Sequence, residues 1–355
     1  MGAGLSGLAC ALTLEKHGIQ PDIYEKRRVV GDRFINGEVF LNFFYKPIQD
    51  LVQFFTDTYD IHINQAIEIK RLKIYAPYET ATLEGKLGYS VIRGRDEDAL
   101  EVQLSKQLIS PIFFRSKAKY EELLEKYDKV VLATGDAEYA IKFGDYKVDT
   151  TSTIKGATIE GDFDPFTPMV WINNLFAPQG YAFLIPYSNH EANISIAFPE
   201  NMENRYKDMT LLWNRFMHQV KETLKQDIRV SDEFHIENYI IGHCQTPKFE
   251  KNYLTGNCFG SIMPFLGFGQ AESLLTGIYA AEDILGKGKY EKLTEHLTES
   301  YSDSLVLRHA WELMDNSKFD VLVKMLQNKW LEKLLQSKFN TPKLLSRVLR
   351  PFINV

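Results

Sequence analysis

The chain is poor in cysteine. Among its 355 residues only Cys10, Cys244 and Cys258 are of this type. Three scattered thiols cannot build a disulfide framework, and they fit a reducing cytoplasm. There is no C-x-x-C pair and no G-x-S-x-G, so neither dithiol exchange nor a serine-hydrolase elbow is indicated. No apolar run approaches the roughly 18 residues of a membrane span. No basic segment precedes an apolar stretch at the N-terminus as it would in a secretory leader. The eight histidines lack metal-ligand spacing, so no metal is expected. A net charge of -6 gives no reason to expect nucleic acid as a partner. With 45% hydrophobic and 25% charged residues, the composition is that of an ordinary globular protein, long enough for two or three sub-structures.

What is present begins at once. Met1-Gly2-Ala3-Gly4-Leu5-Ser6-Gly7 reads G-x-G-x-x-G and runs into a helix-like segment to His17, stopped by Gly18. Glu25 follows at the end of a strand-like stretch from Gln20. This is the fingerprint of a dinucleotide-binding βαβ unit. Gly2 permits the tight turn, Gly4 lets the backbone approach a pyrophosphate, and Gly7 allows close helix–sheet packing. Glu25, an acidic residue, suits a free ribose hydroxyl, as in FAD or NAD rather than NADP. The strand that should precede Gly2 is missing, and the expectation is a native start several residues upstream.

Further along, the pattern alternates. Pro47–Tyr59 reads as a helix, Ile61–Tyr75 and Ala81–Leu87 as strands around Pro77, and Asp96–Leu108 as a helix capped by Asp96. A short strand at Ile112–Arg115, a helix at Lys117–Tyr127 and a buried strand at Lys129–Ala133 follow. From about Asp149 to His243 strands dominate, interrupted by a helix at Tyr206–Lys225. From Ala271 the chain reads as helical almost to its end. These shifts place a discontinuous nucleotide-binding domain at 1–60, 89–148 and 249–288. A sheet-based substrate domain takes 61–88 and 149–248, and a helical region 289–355.

Two later motifs belong with the first. Lys129-Val130-Val131-Leu132 is an apolar strand running into Ala133-Thr134-Gly135, a tight turn of the kind that passes beside a dinucleotide. Leu254-Thr255-Gly256-Asn257, then Pro264-Phe265-Leu266-Gly267-Phe268-Gly269-Gln270, leads into another helix. A helix N-terminus presents free N–H groups and partial positive charge. At the N1/C2=O edge of an isoalloxazine it would stabilise the anionic reduced flavin, and Gly267 and Gly269 would allow close approach.

In this order and spacing the three motifs resemble those of FAD-dependent oxidoreductases of the p-hydroxybenzoate hydroxylase-like superfamily, and most of all the geranylgeranyl reductase family. Gly88-Tyr89-Ser90-Val91-Ile92-Arg93 is similar to that family's arginine segment, which implies a dinucleotide contact for Arg93. Gly180-Tyr181-Ala182-Phe183-Leu184-Ile185-Pro186 is similar to its Tyr-x-Trp-x-Phe-Pro strand, with Phe183 and Ile185 as replacements. The resemblance covers residues 1 to about 290. It implies an α/β fold: a Rossmann-like, two-dinucleotide-binding FAD domain with an inserted, mainly antiparallel β-sheet and C-terminal helices. It implies FAD contacts from Gly2, Gly4, Leu5, Ser6, Gly7, Glu25, Lys26, Arg93, Ala133, Thr134, Gly135, Gly256, Asn257, Pro264, Gly267, Phe268 and Gly269. Two departures stand out. Asn257 replaces the usual aspartate of the third motif, and the stretch after Glu25 lacks the family's cysteine-containing segment. Cys258 reads as a small buried residue.

The implied activity is FAD-dependent oxidation or reduction by hydride transfer at flavin N5, with no side-chain acid or base identified. No second G-x-G-x-x-G is present, so NAD(P)H as reductant would bind transiently. The aromatic residues Phe40, Phe43, Phe44, Tyr45, Trp171, Phe176, Tyr181 and Phe183 divide between sheet core and pocket, and an apolar, isoprenoid or lipid-like substrate follows. Two rival readings are an FAD-dependent monooxygenase using NAD(P)H and O2, and a flavin-fold protein without redox activity. From Lys318 onward eight Lys or Arg face Asp320 and Glu332, so this end carries +6 and the remainder -12. Lys343, Arg347 and Arg350 interleave with Leu344, Leu345, Val348, Leu349, Phe352 and Ile353. The stretch reads as a packed amphipathic helix or as a peripheral contact with an anionic membrane.

Overall fold

The computed structural model describes residues 1–329, 337 and 340–352. Ile353 of the basic C-terminal stretch lies outside them. The described strands are β1 (Ile23–Tyr24), β2 (Asn36–Leu41), β3 (Ile67–Tyr75), β4 (Thr80–Arg93), β5 (Ile112–Phe113), β6 (Val130–Leu132), β7 (Tyr146–Glu160), β8 (Met169–Trp171), β9 (Tyr181–Pro186), β10 (Glu191–Pro199), β11 (Arg229–Cys244), β12 (Lys248–Phe249) and β13 (Asn252–Leu254). The described α-helices are α1 (Leu5–Glu15), α2 (Leu51–Phe54), α3 (Leu100–Ser105), α4 (Tyr120–Lys126), α5 (Glu138–Lys142), α6 (Met209–Leu224), α7 (Gln270–Ile284), α8 (Tyr290–Glu312), α9 (Asn316–Leu326) and α10 (Thr341–Leu349).

The nucleotide-binding half is built on two short sheets. β1 pairs with β5 in parallel, and β13 pairs in parallel with β6 and antiparallel with β12. Met1 and Gly2 bridge them. The Met1 amino group donates to the Val131 carbonyl, the Met1 carbonyl accepts from Ala133 N–H, and Gly2 N–H donates to the Tyr24 carbonyl, each at 2.8 Å. Above the sheets α1 and α7 cross at closest range where Gly277 meets Ser6. A Cβ at Gly277 would stand 2.0 Å from the Ser6 carbonyl oxygen. The apolar faces of both helices close this core with Leu8, Leu132, Leu254, Leu274 and Ile278, all fully buried.

The second half is an eight-stranded sheet in the order β11-β7-β10-β9-β8-β3-β4-β2. It is antiparallel except for the β3–β8 pair. α6, capped by the Asp208 carboxylate on Thr210 and Leu211 N–H, covers one face with Leu212, Trp213, Phe216 and Val220. The opposite face carries Val39, Leu41, Ile69, Leu72 and Ile185. β2 lies between two segments of the nucleotide-binding half yet pairs with β4 from Asn36–Arg93 to Leu41–Gly88. The chain is therefore a Rossmann-like half joined to a large, mostly antiparallel sheet, with helices closing the C-terminal side.

Local details depart from the sequence reading. β4 runs on to Arg93 rather than ending at Leu87. Asp96 does not cap the following helix. Its carboxylate accepts from Asp98 N–H, and α3 starts at Leu100 behind Ala99. The helix expected from Pro47 reduces to α2, capped by Asp50, and one wider turn over Phe55–Tyr59. No described helix is long and apolar enough to cross a membrane.

Candidate functional site

The three glycine-bearing loops meet at one cleft of about 330 Å³. Its walls include Gly4, Leu5, Ser6, Glu25, Lys26, Arg93, Ala133, Thr134, Gly135, Gly256, Asn257, Gly267 and Gly269. Gly2 and Gly7, expected among the contacts, are not in its walls and border a separate cavity with Met1, Cys10 and Val131. A Cβ at Gly7 would stand 2.1 Å from the Gly2 carbonyl oxygen, and one at Gly2 would stand 2.0 Å from that of Ala133. Gly4 is the opposite case. A Cβ there meets nothing within 4 Å, so the missing side chain opens the cleft instead of relieving a clash. α1 starts at this point with no side-chain cap and no acidic residue in its first turn. Its unpaired N–H groups and partial positive charge therefore face the cleft.

The Glu25 carboxylate is fixed by the backbone on both oxygens. Oε2 accepts from Ala3 N–H and Oε1 from Arg27 N–H, each at 2.8 Å. A carboxylate has further lone pairs for a ribose hydroxyl. Lys26 and Asp136 pair at 3.6 Å across the same end. Asn257 ties the second loop to the third. Its Nδ2 donates to the Gly135 carbonyl at 2.8 Å, and its Oδ1 accepts from Ser261 at 3.2 Å. An aspartate lacks the donor for the first of these bonds, so Asn is the residue this contact demands. Cys258 is fully buried, its Sγ donating to the Asp136 carbonyl at 2.9 Å. Burial pushes the thiol up to about 11, which suits a structural role.

Arg93 sits in the cleft wall inside an ion-pair cluster. Its Nε pairs with Glu101 at 2.7 Å and its Nη1 with Glu38 at 2.9 Å. Glu38 also accepts from Asn36 and Gln270. Arg33 donates to Asn36 at 3.1 Å, stacks over Phe34, and leaves its buried Nε with no partner. Burial opposes the charge on Arg93, but Glu101 and Glu38 outweigh it and hold its pKa above the usual arginine value. Burial likewise opposes the Glu38 carboxylate, and Arg93 and Arg33 together keep its pKa low. Arg33, Glu38, Glu101, Asp136, Tyr239, Gln270 and Ser273 line the cleft without having stood out in the sequence. Gln270 closes the third motif, but its bond to Glu38 links residues 232 apart, and no local pattern announces that.

The cleft continues into a second cavity of about 340 Å³, sharing Arg27, Arg33, Glu38, Gly135, Tyr239, Asn257 and Gly267 with it. Pro264 and Phe268 lie here. Behind it is a third cavity of about 250 Å³ whose wall includes Val39, Leu41, Phe43, Phe44, Leu72 and Trp311. Tyr181, Phe183, Leu266 and Phe268 belong to both walls and partition the two. The Tyr181 hydroxyl donates to the Leu266 carbonyl and pins the loop to β9. Of the aromatic residues singled out, Phe40, Trp171 and Phe176 are core; Trp171 stacks on Tyr75 with centroids 5.3 Å apart. Phe43, Phe44, Tyr181 and Phe183 reach the apolar cavity.

A fourth cavity, about 240 Å³, adjoins the apolar one through Phe44, Leu266 and Phe268 and has a polar end with Tyr45, Lys46, Glu272, His296 and Asp303. Glu272 is 4% exposed and accepts from the Tyr45 hydroxyl at 3.1 Å. Burial raises its carboxyl to about 7.

The sequence model of the NAD(P)-binding Rossmann-like domain matches residues 1–40. Solved structures extend the likeness over the whole chain. A geranylgeranyl bacteriochlorophyll reductase-like protein from Thermoplasma acidophilum superposes with a TM-score of 0.74 at 19% identity, covering 97% of this chain and 94% of its own. The flavin-dependent brominase Bmp2 gives 0.69 at 13% identity, over 99% and 97%. A flavoprotein/dehydrogenase from Cytophaga hutchinsonii gives 0.65 at 14% identity, over 99% and 98%. At these identities the common property is the fold, and it is the fold expected from the three motifs.

Proposed function

We propose that the chain is an FAD-dependent oxidoreductase acting on an apolar substrate. The observation that carries this reading is the continuity of the cleft. The cleft at the uncapped start of α1 shares Asn257 and Gly267 with the cavity beside it, and four side chains stand between that cavity and an apolar one behind it. The residues fit the cofactor. Gly4 leaves open space at a helix N-terminus where a pyrophosphate would lie, and Glu25 is held beside it for a ribose hydroxyl. The loop carrying Gly267 and Gly269, with the start of α7, would bound the flavin ring. Bound there, FAD would supply hydride transfer at its N5.

The protein's own contribution is placement and exclusion of water. The ion-pair cluster around Arg93 makes a rigid wall. Tyr181 holds the Gly267 loop against β9. Phe183, Leu266 and Phe268 bring an apolar surface up to the ring position, so an apolar substrate would approach from the cavity side while polar groups keep to the cleft.

The test is the absorption spectrum of the purified full chain, before and after reconstitution with FAD, followed by anaerobic turnover of isoprenoid-like substrates with chemically reduced flavin. Flavin bands and anaerobic turnover are expected. A chain that never takes up FAD would overturn the reading, and product that forms only with O2 would replace it with oxygenation.

A further inference from the structure

The C-terminal helix is amphipathic but docked inside out. α10 meets α8 through its polar side. Lys343 pairs with Glu299 at 3.0 Å, Ser346 donates to Asp303 at 2.7 Å, and Arg350 pairs with Asp303 at 3.0 Å. Its apolar side faces outward, with Leu344 55%, Leu345 49% and Val348 59% exposed. On neighbouring α9, Val321 and Met325 are also exposed, while Leu322 and Leu326 line the apolar cavity. Leu345 and Pro342 line that cavity too. Leu345 thus belongs both to the cavity wall and to the exposed face of α10, so the two meet there.

We propose that this face docks on an anionic lipid bilayer and that the apolar cavity opens into it. Three observations select this occupant. An apolar helix face edged by the exposed Arg347, with Lys343 and Arg350 held on the polar side by Glu299 and Asp303, has the composition of an interfacial helix. The segment from Lys318 carries +6 in a chain of net -6; Lys318, Lys324, Lys343 and Arg350 pair with Asp315, Glu79, Glu299 and Asp303, and the +2 that remains favours an acidic surface. A second copy seated here would cover the cavity wall at Leu345, and a face of five side chains is far below the roughly 800 Å² per partner of a stable interface. Membrane contact stands on these residues alone. The entry route for substrate rests on the reading of the cavity given above.

Flotation of the full chain with phosphatidylcholine vesicles, with and without phosphatidylglycerol, tests it. The protein should float with the anionic vesicles, less with neutral ones, and less at high salt. Leu344→Asp/Val348→Asp should lower the bound fraction about tenfold or more, since two half-exposed apolar side chains lose their burial in lipid. Arg347→Glu should weaken anionic binding severalfold. Each variant should keep the native circular dichroism, because these side chains point outward. Absence of flotation, flotation indifferent to the double substitution, or a dimer that the double substitution dissolves would overturn the proposal. Flotation by a chain that takes up no FAD would leave the membrane contact standing and overturn the flavin reading instead.

Discussion

Gly4 and Gly7 sit three residues apart and have opposite consequences on substitution. Gly7→Ala forces a methyl group to 2.1 Å from the Gly2 carbonyl oxygen. Neither group is the flexible end of a side chain, so a loss of about 3 kcal/mol is expected, read as a lower urea midpoint. Gly4→Ala meets open space and should leave that midpoint unchanged while weakening FAD binding about tenfold or more, because the methyl group occupies ligand volume. Equal loss of stability in both variants would contradict the assignment of Gly4 to the cleft. Glu272 offers a second test. Its carboxyl titrates near 4.5 when unperturbed and is raised to about 7 by burial. As pH rises through that interval the unfolded chain releases this proton first, so the stability linked to Glu272 is full below the lower value and lost above the upper one. The shift corresponds to roughly 3 kcal/mol. Lys46, His296, Asp303 and Lys343 line the same cavity and are common to both proteins, so the difference between wild type and Glu272→Gln isolates the carboxyl. The variant should gain relative stability between about pH 5 and about pH 8 in urea unfolding.

Elements were legible where their signal is local. The three loops could be read because each couples a glycine turn to a helix or strand within a few residues. β2 could not. Asn36-Gly37-Glu38 opens it with poor strand formers, and its partner β4 lies about fifty residues on. Gly37 is there because Ile185 leaves only 2.9 Å for a Cβ. β4 read as ending at Leu87 because Gly85 and Gly88 interrupt its alternation, yet both glycines take positive φ and the strand continues through an irregularity opposite Ile69–Arg71. The Arg93 cluster was invisible for the same reason: Glu38, Arg93 and Glu101 come from β2, β4 and α3. At this scale α9 controls the apolar cavity. Leu322→Trp should fill part of its 250 Å³ and reduce affinity for apolar ligands about tenfold, with FAD content unaltered. A proportional fall in both would mean that the partition at Phe183 and Phe268 does not separate two sites.

Across the whole molecule, FAD that binds only the folded chain should stabilise it by about 2.7 kcal/mol at a hundredfold excess over Kd. The increase in Tm should follow the logarithm of FAD concentration, and a Tm indifferent to FAD would argue against the cleft as its site. The Rossmann-like half was legible from Gly2, Glu25 and Gly135 because a fingerprint reports one backbone shape. The order of the eight-stranded sheet was not, since β8 pairs with β3 across about a hundred residues and alternation says nothing about partners. That topology also sets a schedule for biosynthesis. The large sheet uses residues 36–244, so all its strands leave the ribosome ahead of β13. β6 waits for β13 at residues 252–254, and the cleft waits for the loop through Gly269. A nascent chain can therefore complete its large sheet before it owns a cofactor pocket. Capture of the proposed flavin therefore requires synthesis through Gly269, and chains truncated before that point should fold in part while remaining colourless.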